Sequence, residues 1–307
     1  VNGLGFGDYP ERNGYPRFSR NTRLKTVICE DKIEILDPPS KPQKPKSNLF
    51  MKLFPSFGML IAAGAMAFMG GTMIIFSLIS CTIAIITAVV GVMEGKKEFR
   101  EKTANRIEVY QKYIASKRQE IEECRNREWT ERNEIYIPAE QEIQQVETFS
   151  PDLFDRTPQD EDFLCVRLGS GPIESARQVN YKKQEKLEIE DDLSLLPEQT
   201  ASFYKELQNA PVICDLKNVN AVGITGEEAD RFELLKLIVT DVALRHFAAD
   251  VKLFFVAEKE HAGRMHLFRF LPGAYCVQTD TRGIVTDDES KTLIFEYLYK
   301  ELTMRAQ

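Results

Sequence analysis

The residues best placed to do chemistry lie in the run Val219-Asn220-Ala221-Val222-Gly223-Ile224-Thr225-Gly226-Glu227-Glu228. Its order reads as an apolar strand, a glycine turn and the start of a helix, the local plan of a phosphate-binding loop. Such a loop turns backbone N–H groups towards phosphate, and it needs a Lys to offset the β and γ charges and a Ser or Thr on magnesium. Here the glycine spacing is shortened, and Glu227 and Glu228 stand where the Lys and the Ser or Thr belong. Carboxylates at a helix N-terminus complement its dipole, but they occupy the position a phosphate would take. Gly223, Thr225, Gly226, Glu227 and Glu228 therefore read as a degenerate phosphate loop, with no cofactor, no metal and no catalytic residue expected. Weak nucleotide binding, or no relation to such loops at all, are the alternatives.

No other constellation rises above background. Asp241, Asp250 and Glu258 could be cast as magnesium ligands, but each reads more simply as a solvated charge. Of the three histidines, His246, His261 and His266, the last two lie five apart, which is not a helical zinc spacing. They read as surface or satisfied core residues. The six cysteines, Cys29, Cys81, Cys124, Cys165, Cys214 and Cys276, show no CxxC or His-Cys pattern and read as reduced thiols. No Ser, Cys or Thr has a nucleophile-elbow context.

The elements that would position the loop follow from hydropathy and charge. Residues 53–93 hold no charged side chain, and a run of about 40 is twice the ~20 residues a spanning helix needs. As a single helix it would be about 60 Å long against a hydrocarbon core of ~30 Å, so it is expected to fold back at Gly70-Gly71 as a two-helix transmembrane hairpin. Ten Lys or Arg against four Asp or Glu precede it between Arg12 and Lys52, and Lys96, Lys97 and Arg100 follow it. Two basic flanks place both termini in the cytoplasm, a multi-pass topology in the cell membrane.

After the second span, Ile107, Tyr110, Ile114, Lys117, Ile121 and Cys124 alternate spacings of three and four along a long helix. That seam suits either an oligomerising stalk or one amphipathic helix packed on its own domain. The lone Trp129 reads as a packing anchor at its end. Beyond Pro138 the texture is α/β: strands are expected at 163–168, 212–216, 219–224, 251–257 and 274–278. Helices are expected at 197–209, at 227–247 with a buried stripe of Phe232, Leu235, Val239 and Val242, and at 290–305.

The organisation is thus a cytoplasmic N-terminal segment and Pro-rich, polyproline-type linker (1–48), a transmembrane hairpin (49–94), a helical stalk (95–148) and a degenerate ATPase-like α/β domain (149–307). The net charge of -7 is unevenly spread, basic beside the membrane and acidic beyond it, as in Glu188-Ile189-Glu190-Asp191-Asp192. That argues against nucleic acid as a partner. With no initiator Met and a last residue inside a helical pattern, the chain reads as a piece of a longer protein.

Several words of this sequence, in order, resemble the membrane-proximal portion of the EssC/EccC family, the FtsK/SpoIIIE-type ATPases of bacterial type VII secretion. They are Pro16-Arg17-Phe18-Ser19-Arg20, Asp37-Pro38-Pro39, Leu53-Phe54-Pro55-Ser56-Phe57-Gly58-Met59 and Tyr110-Gln111-Lys112-Tyr113-Ile114. Phe154-Asp155-Arg156, Asp162-Phe163-Leu164-Cys165-Val166-Arg167-Leu168-Gly169-Ser170-Gly171, Pro211-Val212-Ile213-Cys214-Asp215-Leu216 and Phe268-Arg269-Phe270-Leu271-Pro272 follow. The resemblance covers nearly the whole chain.

It implies a coupling protein that forms a hexamer, works with other secretion membrane subunits and exports small helical Trp-Xaa-Gly-type proteins. It also implies that ATP and magnesium act in domains downstream of this region. In the family the domain next to the membrane is ATPase-like without a usable site, which agrees with Glu227 and Glu228, so this stretch alone is not expected to be an enzyme. A two-span scaffold or signalling protein with a partner-binding α/β domain is the alternative.

Overall fold

The structure, a computed structural model, describes residues 23–45, 54, 57, 58, 61, 64, 73–182, 191–276 and 279–306. Its longest element is helix α1, Met73–Ile135, 63 residues, about 95 Å at 1.5 Å per residue. No proline interrupts it, and Thr87, Thr103 and Thr130 return their hydroxyls to the carbonyls four residues back. Its charged half carries the i,i+4 pairs Glu98–Lys102 and Glu108–Lys112, both at 2.7 Å. It is long and apolar enough to cross a membrane, and its apolar stretch is almost wholly unburied. The second expected span and the expected stalk are thus one helix. Phe54, Phe57, Gly58, Ile61 and Gly64 are helical, but most of the first expected span and the Gly70-Gly71 turn lie outside the described residues.

Two compact units share α1. One comprises Asp31–Cys124 and Arg177–Lys205; the other comprises Val1–Glu30, Arg125–Ala176 and Glu206–Gln307.

In the first unit, strand β1 (Ile33–Glu34) pairs in parallel with β3 (Val179–Asn180), and helix α3 (Asp192–Phe203) packs nearby. The strand between them in sequence, β2 (Cys165–Glu174), belongs to the other unit. The three-four seam of α1 is used within the chain: Tyr110, Ile114 and Ile121 are buried with Ile33, Ile35 and Leu193. Ile107 at the end of the seam is 37% exposed, and Lys117 turns aside to pair with Glu120 at 2.8 Å. The linker after β1, expected as an extended polyproline-type spacer, is tied to α1. Tyr110 donates to the Leu36 carbonyl (2.9 Å), Tyr113 accepts from the Leu36 N–H (3.0 Å), and Arg106 donates to the Pro39 carbonyl (2.6 Å). Tyr181 adds a 2.6 Å bond to Asp37. Helix α3 begins before the expected Pro197, because Asp191 and Ser194 cap each other's backbone N–H groups. It ends at Phe203, so residues 206–209, expected as helix, are strand.

In the second unit, the ten-residue strands β2 (Cys165–Glu174) and β4 (Glu206–Asp215) pair antiparallel, with irregularities beside Gly169 and Gly171. Helix α2 (Ala139–Glu147) lies against α4 (Glu228–Arg245). The expected stripe of α4 holds: Val239 is buried with Phe255, Phe268 and Ala274, Phe232 and Leu235 pack against this cluster, and Val242 is buried. Two further ladders are short: β5 (Phe255–Val256) pairs in parallel with β8 (Ile284–Val285), and β6 (Tyr275–Cys276) antiparallel with β7 (Thr281–Arg282). Gly283 is required between them, since a Cβ there would sit 2.7 Å from the Leu253 carbonyl oxygen. A one-turn helix, α5 (Ala262–Met265), and the terminal α6 (Asp288–Ala306) complete the unit. Trp129 is 43% exposed and held by its indole N–H on the Asn209 carbonyl at 3.0 Å, so it anchors by a hydrogen bond more than by packing.

The expected strand at 219–224 is absent, and its residues run as an irregular segment, exposed except for the half-buried Ile224. The cause lies one turn earlier. Asp215 Oδ1 accepts the N–H groups of Lys217 (3.0 Å) and Asn218 (3.2 Å), and Asn218 Nδ2 donates to Oδ2 at 2.6 Å. This Asx turn ends β4 and diverts the chain before it can form another strand. The architecture is a mixture of helices and small two-stranded sheets with one long apolar helix.

Candidate functional site

The segment 223–228 agrees with expectation in one respect: it leads directly into α4. Gly223, Thr225, Gly226, Glu227 and Glu228 are all exposed. Gly226 takes φ +136, a conformation that L side chains rarely adopt, and makes the turn into the helix. Gly223 faces open space, so no close approach demands a glycine there. Glu227 is the N-cap residue but makes no side-chain cap bond. Glu228 pairs with Arg264 of α5, whose guanidinium lies 5.8 Å from the centre of the Phe232 ring. The loop therefore presents carboxylates, and the cation beside it is already matched to one of them. An arriving phosphate would have to displace Glu228 from Arg264 and then face Glu227.

The suggested magnesium ligands are not brought together. Asp250 and Glu258 are exposed, whereas Asp241 is buried, so its reading as a solvated charge is wrong. Glu258, Glu260 and His261 place one ligand atom each within 4.8 Å on an exposed turn. His246 is a satisfied core residue. Its Nε2 accepts the Leu164 N–H (2.9 Å), which fixes the proton on Nδ1, and that N–H donates to the Val242 carbonyl (3.0 Å). Burial, with Arg156 and Arg245 close by, pushes its pKa down to about 4, so the ring is neutral. None of the six cysteines forms a disulfide, and burial pushes the Cys165 thiol up, away from the reactive thiolate.

The densest polar arrangement is one that residue types alone did not disclose. Arg156 is fully buried. Its Nη1 donates to the carbonyls of Asp162 (3.0 Å) and Cys165 (2.6 Å), its Nη2 donates to that of Ile135 (3.0 Å), and Tyr136 lies 5.0 Å from its guanidinium carbon. Arg23 grips Asp162 with two bonds of 2.8 and 2.7 Å and reaches Asp155 at 3.1 Å. Burial acts to raise Asp162, but the bonds from Arg23 and the charge of Arg156 outweigh it and hold the carboxyl below its usual range. Arg245 joins Glu142 (2.7 Å) and the Ile135 carbonyl (2.7 Å), and Asp241 accepts the Arg167 backbone N–H (2.6 Å). Arg167 extends to the Tyr136 carbonyl at 2.5 Å. Three arginines thus converge on the end of α1, two of them on one carbonyl. This is a joint that orients elements. It offers no activated nucleophile and no exposed acid or base.

The signal for it was present in the words Phe154-Asp155-Arg156 and Asp162 to Gly171, where charges interrupt apolar runs. They carried a resemblance but were assigned no role.

No family model matches the chain. Among curated proteins it is similar to the ESX secretion system protein EccC of Geobacillus thermodenitrificans, 22% identical over 298 residues, and to YukB of Bacillus subtilis, 21% over 295. It is also similar to the type VII secretion system protein EssC of Staphylococcus aureus, 24% identical over 303 residues. These alignments cover 95 to 97% of the chain but 20% of each relative, so the chain spans about a fifth of their length. Matched over nearly its whole length in this way by proteins named EccC, YukB and EssC, the chain finds support for a place with the EssC/EccC family of type VII secretion proteins.

Proposed function

We propose that this chain is the membrane-anchoring, stalk and regulatory pseudo-ATPase portion of a type VII secretion motor. The observation that carries the reading is the alignment of nearly the whole chain with EssC, EccC and YukB. On this reading the apolar run is a two-helix hairpin in the cell membrane with both ends in the cytoplasm. The unit containing α4 is a degenerate P-loop-like domain. The active ATPase domains, with ATP and magnesium, belong to the remaining length of the parent protein. There a hexameric motor acts with other membrane subunits on small helical Trp-Xaa-Gly-type proteins.

Two features support parts of the proposal. The backbone pairing of Ile33 with Val179 joins residues on either side of the apolar run, which favours an even number of crossings. The exposed pair Glu227 and Glu228, with Arg264 committed to Glu228, argues against phosphate. Calorimetric titration of the whole chain in detergent with Mg-ATP is the test, and no saturable heat is expected. Saturable micromolar binding that Glu227→Ala and Glu228→Ala leave intact or strengthen would overturn the pseudo-ATPase assignment.

A further inference from the structure

Between α2 and α4 two carboxyls compete for one guanidinium. Glu142 of α2 is 1% exposed and Asp241 of α4 is 3% exposed. Arg245 Nε donates to Glu142 Oε1 at 2.7 Å and lies 3.5 Å from Asp241 Oδ1. Arg245 Nη1 is spent on the Ile135 carbonyl, and Asp241 Oδ2 on the Arg167 N–H. Glu142 Oε2 and Asp241 Oδ1 remain, both buried and neither receiving a hydrogen bond. Two shielded anions on one cation leave an uncompensated buried charge, which costs several kcal/mol. One proton removes that cost: the acid O–H of one carboxyl donates to the other, and both unfilled oxygens are satisfied together. We propose that Glu142 and Asp241 share a single proton, and that this proton fastens α2 to α4.

The surroundings agree in sign. Burial first, and the Asp241 charge second, raise Glu142 to about 7 against the opposing Arg245 and Arg156. Asp241 is also raised by burial, with Arg245, the Arg167 N–H and Arg156 opposing. From β2 the Arg167 guanidinium faces the same group, through the charges of Glu140, Glu142 and Asp241. Titration belongs to the pair as a whole.

A carboxyl raised in the folded state holds its proton where the unfolded chain, at 4.5, has lost it. Its contribution to stability is therefore fully present below about 4.5 and is lost as pH rises through about 7. His246 works in the opposite sense, because a depressed histidine contributes fully above its ordinary 6.5 and loses that contribution as pH falls towards about 4. The two partly cancel in global unfolding, so the local opening of α2 is the clean readout.

Hydrogen exchange of the α2 amides in the whole chain in detergent, corrected for the intrinsic exchange rate, tests the latch. Wild-type protection is expected to fall about tenfold between about pH 6 and about pH 8, since roughly one unit of the titration below 7 lies in that window. Glu142→Gln, whose amide donates to Asp241 at any pH, is expected to keep equal protection at both. A flat wild-type profile, or a tenfold fall that survives in Glu142→Gln, overturns the proposal. Should Glu142→Gln leave α2 unprotected throughout, the infrared carbonyl band of a protonated carboxyl decides. A band that fades between the two pH values and is missing from Asp241→Asn supports the shared proton, and no band in wild type at about pH 6 overturns it.

Discussion

Arg156 carries a full charge into the fully buried interior, where its Nη atoms donate to three backbone carbonyls and its Nε, without a hydrogen bond of its own, lies 3.4 Å from the Asp162 carboxylate. The planar fork of a guanidinium can serve divergent carbonyls at once, whereas an ammonium is a point charge with three donors on one atom. Removing the side chain would take a charged donor from three carbonyls at once and leave a buried void, although the Asp162 carbonyl keeps the Cys165 N–H, the Ile135 carbonyl keeps Arg245 and the Asp162 carboxylate keeps Arg23. Arg156→Ala is expected to destabilise the protein by about 3 to 5 kcal/mol, and Arg156→Lys to recover less than half of that, read from urea midpoints of the whole chain in detergent. A Lys variant indistinguishable from wild type would mean that charge alone matters and that the hydrogen-bond geometry does not. Glu228 is the contrasting residue: its exposed pair with Arg264 belongs to a class of ion pairs with median worth of about 0 to 1 kcal/mol.

At the scale of elements, the seam of α1 decides between two uses that its spacing left open. Ile121 is fully buried, and it shares a core with Ile33, Ile35 and Leu193. Ile121→Ala is expected to cost about 2 to 5 kcal/mol and to expose the linker around Lys32 and Lys41 to trypsin without changing the oligomeric mass. A change in mass with the linker still protected would return the seam to a role between chains.

The seam and the stripe of α4 were legible because a long apolar period survives any tertiary context. The ladder of β2 and β4 was only half legible. Gly169, Gly171 and Pro172 read as breakers, yet β2 runs through them to Glu174 because β4 supplies the pairing. Residues 219–224 have strand composition but no partner, since the Asp215 turn has already diverted the chain. The residues 223–228 lead into α4 as expected, but without the strand expected before them. The buried joint was not legible, because a charge in a sequence carries no mark of its depth. Besides the charged words around Arg156 and Asp162, a further clue was available: Asp241 and Arg245 are four apart and flank Val242 of the buried stripe, which puts both charges at the edge of the packed face.

For the whole molecule, the strand pairing across the apolar run constrains topology more tightly than charge does. Ile33 precedes residues 53–93 and Val179 follows them, yet the two are ladder partners, and the Ile33 N–H reaches the Gln178 carbonyl at 3.0 Å. Arg106 and Tyr110, beyond the run, hold the Pro39 and Leu36 carbonyls before it. A single membrane crossing would put these partners on opposite faces of the bilayer and break every one of those bonds. On the proposed reading, in which the apolar end of α1 lies in the membrane, an even number of crossings is expected, and the length of the run allows two. The basic residues on both sides make the cytoplasm the expected side for both ends. Single cysteines introduced into a cysteine-free chain provide the test in intact cells with a membrane-impermeant thiol reagent. Leu24→Cys and Thr303→Cys are expected to stay unlabelled until the cells are opened, while Gly70→Cys is expected to react from outside. Labelling of one end and not the other would mean an odd number of crossings, and it would require the β1 and β3 pairing to be absent from the protein in its membrane.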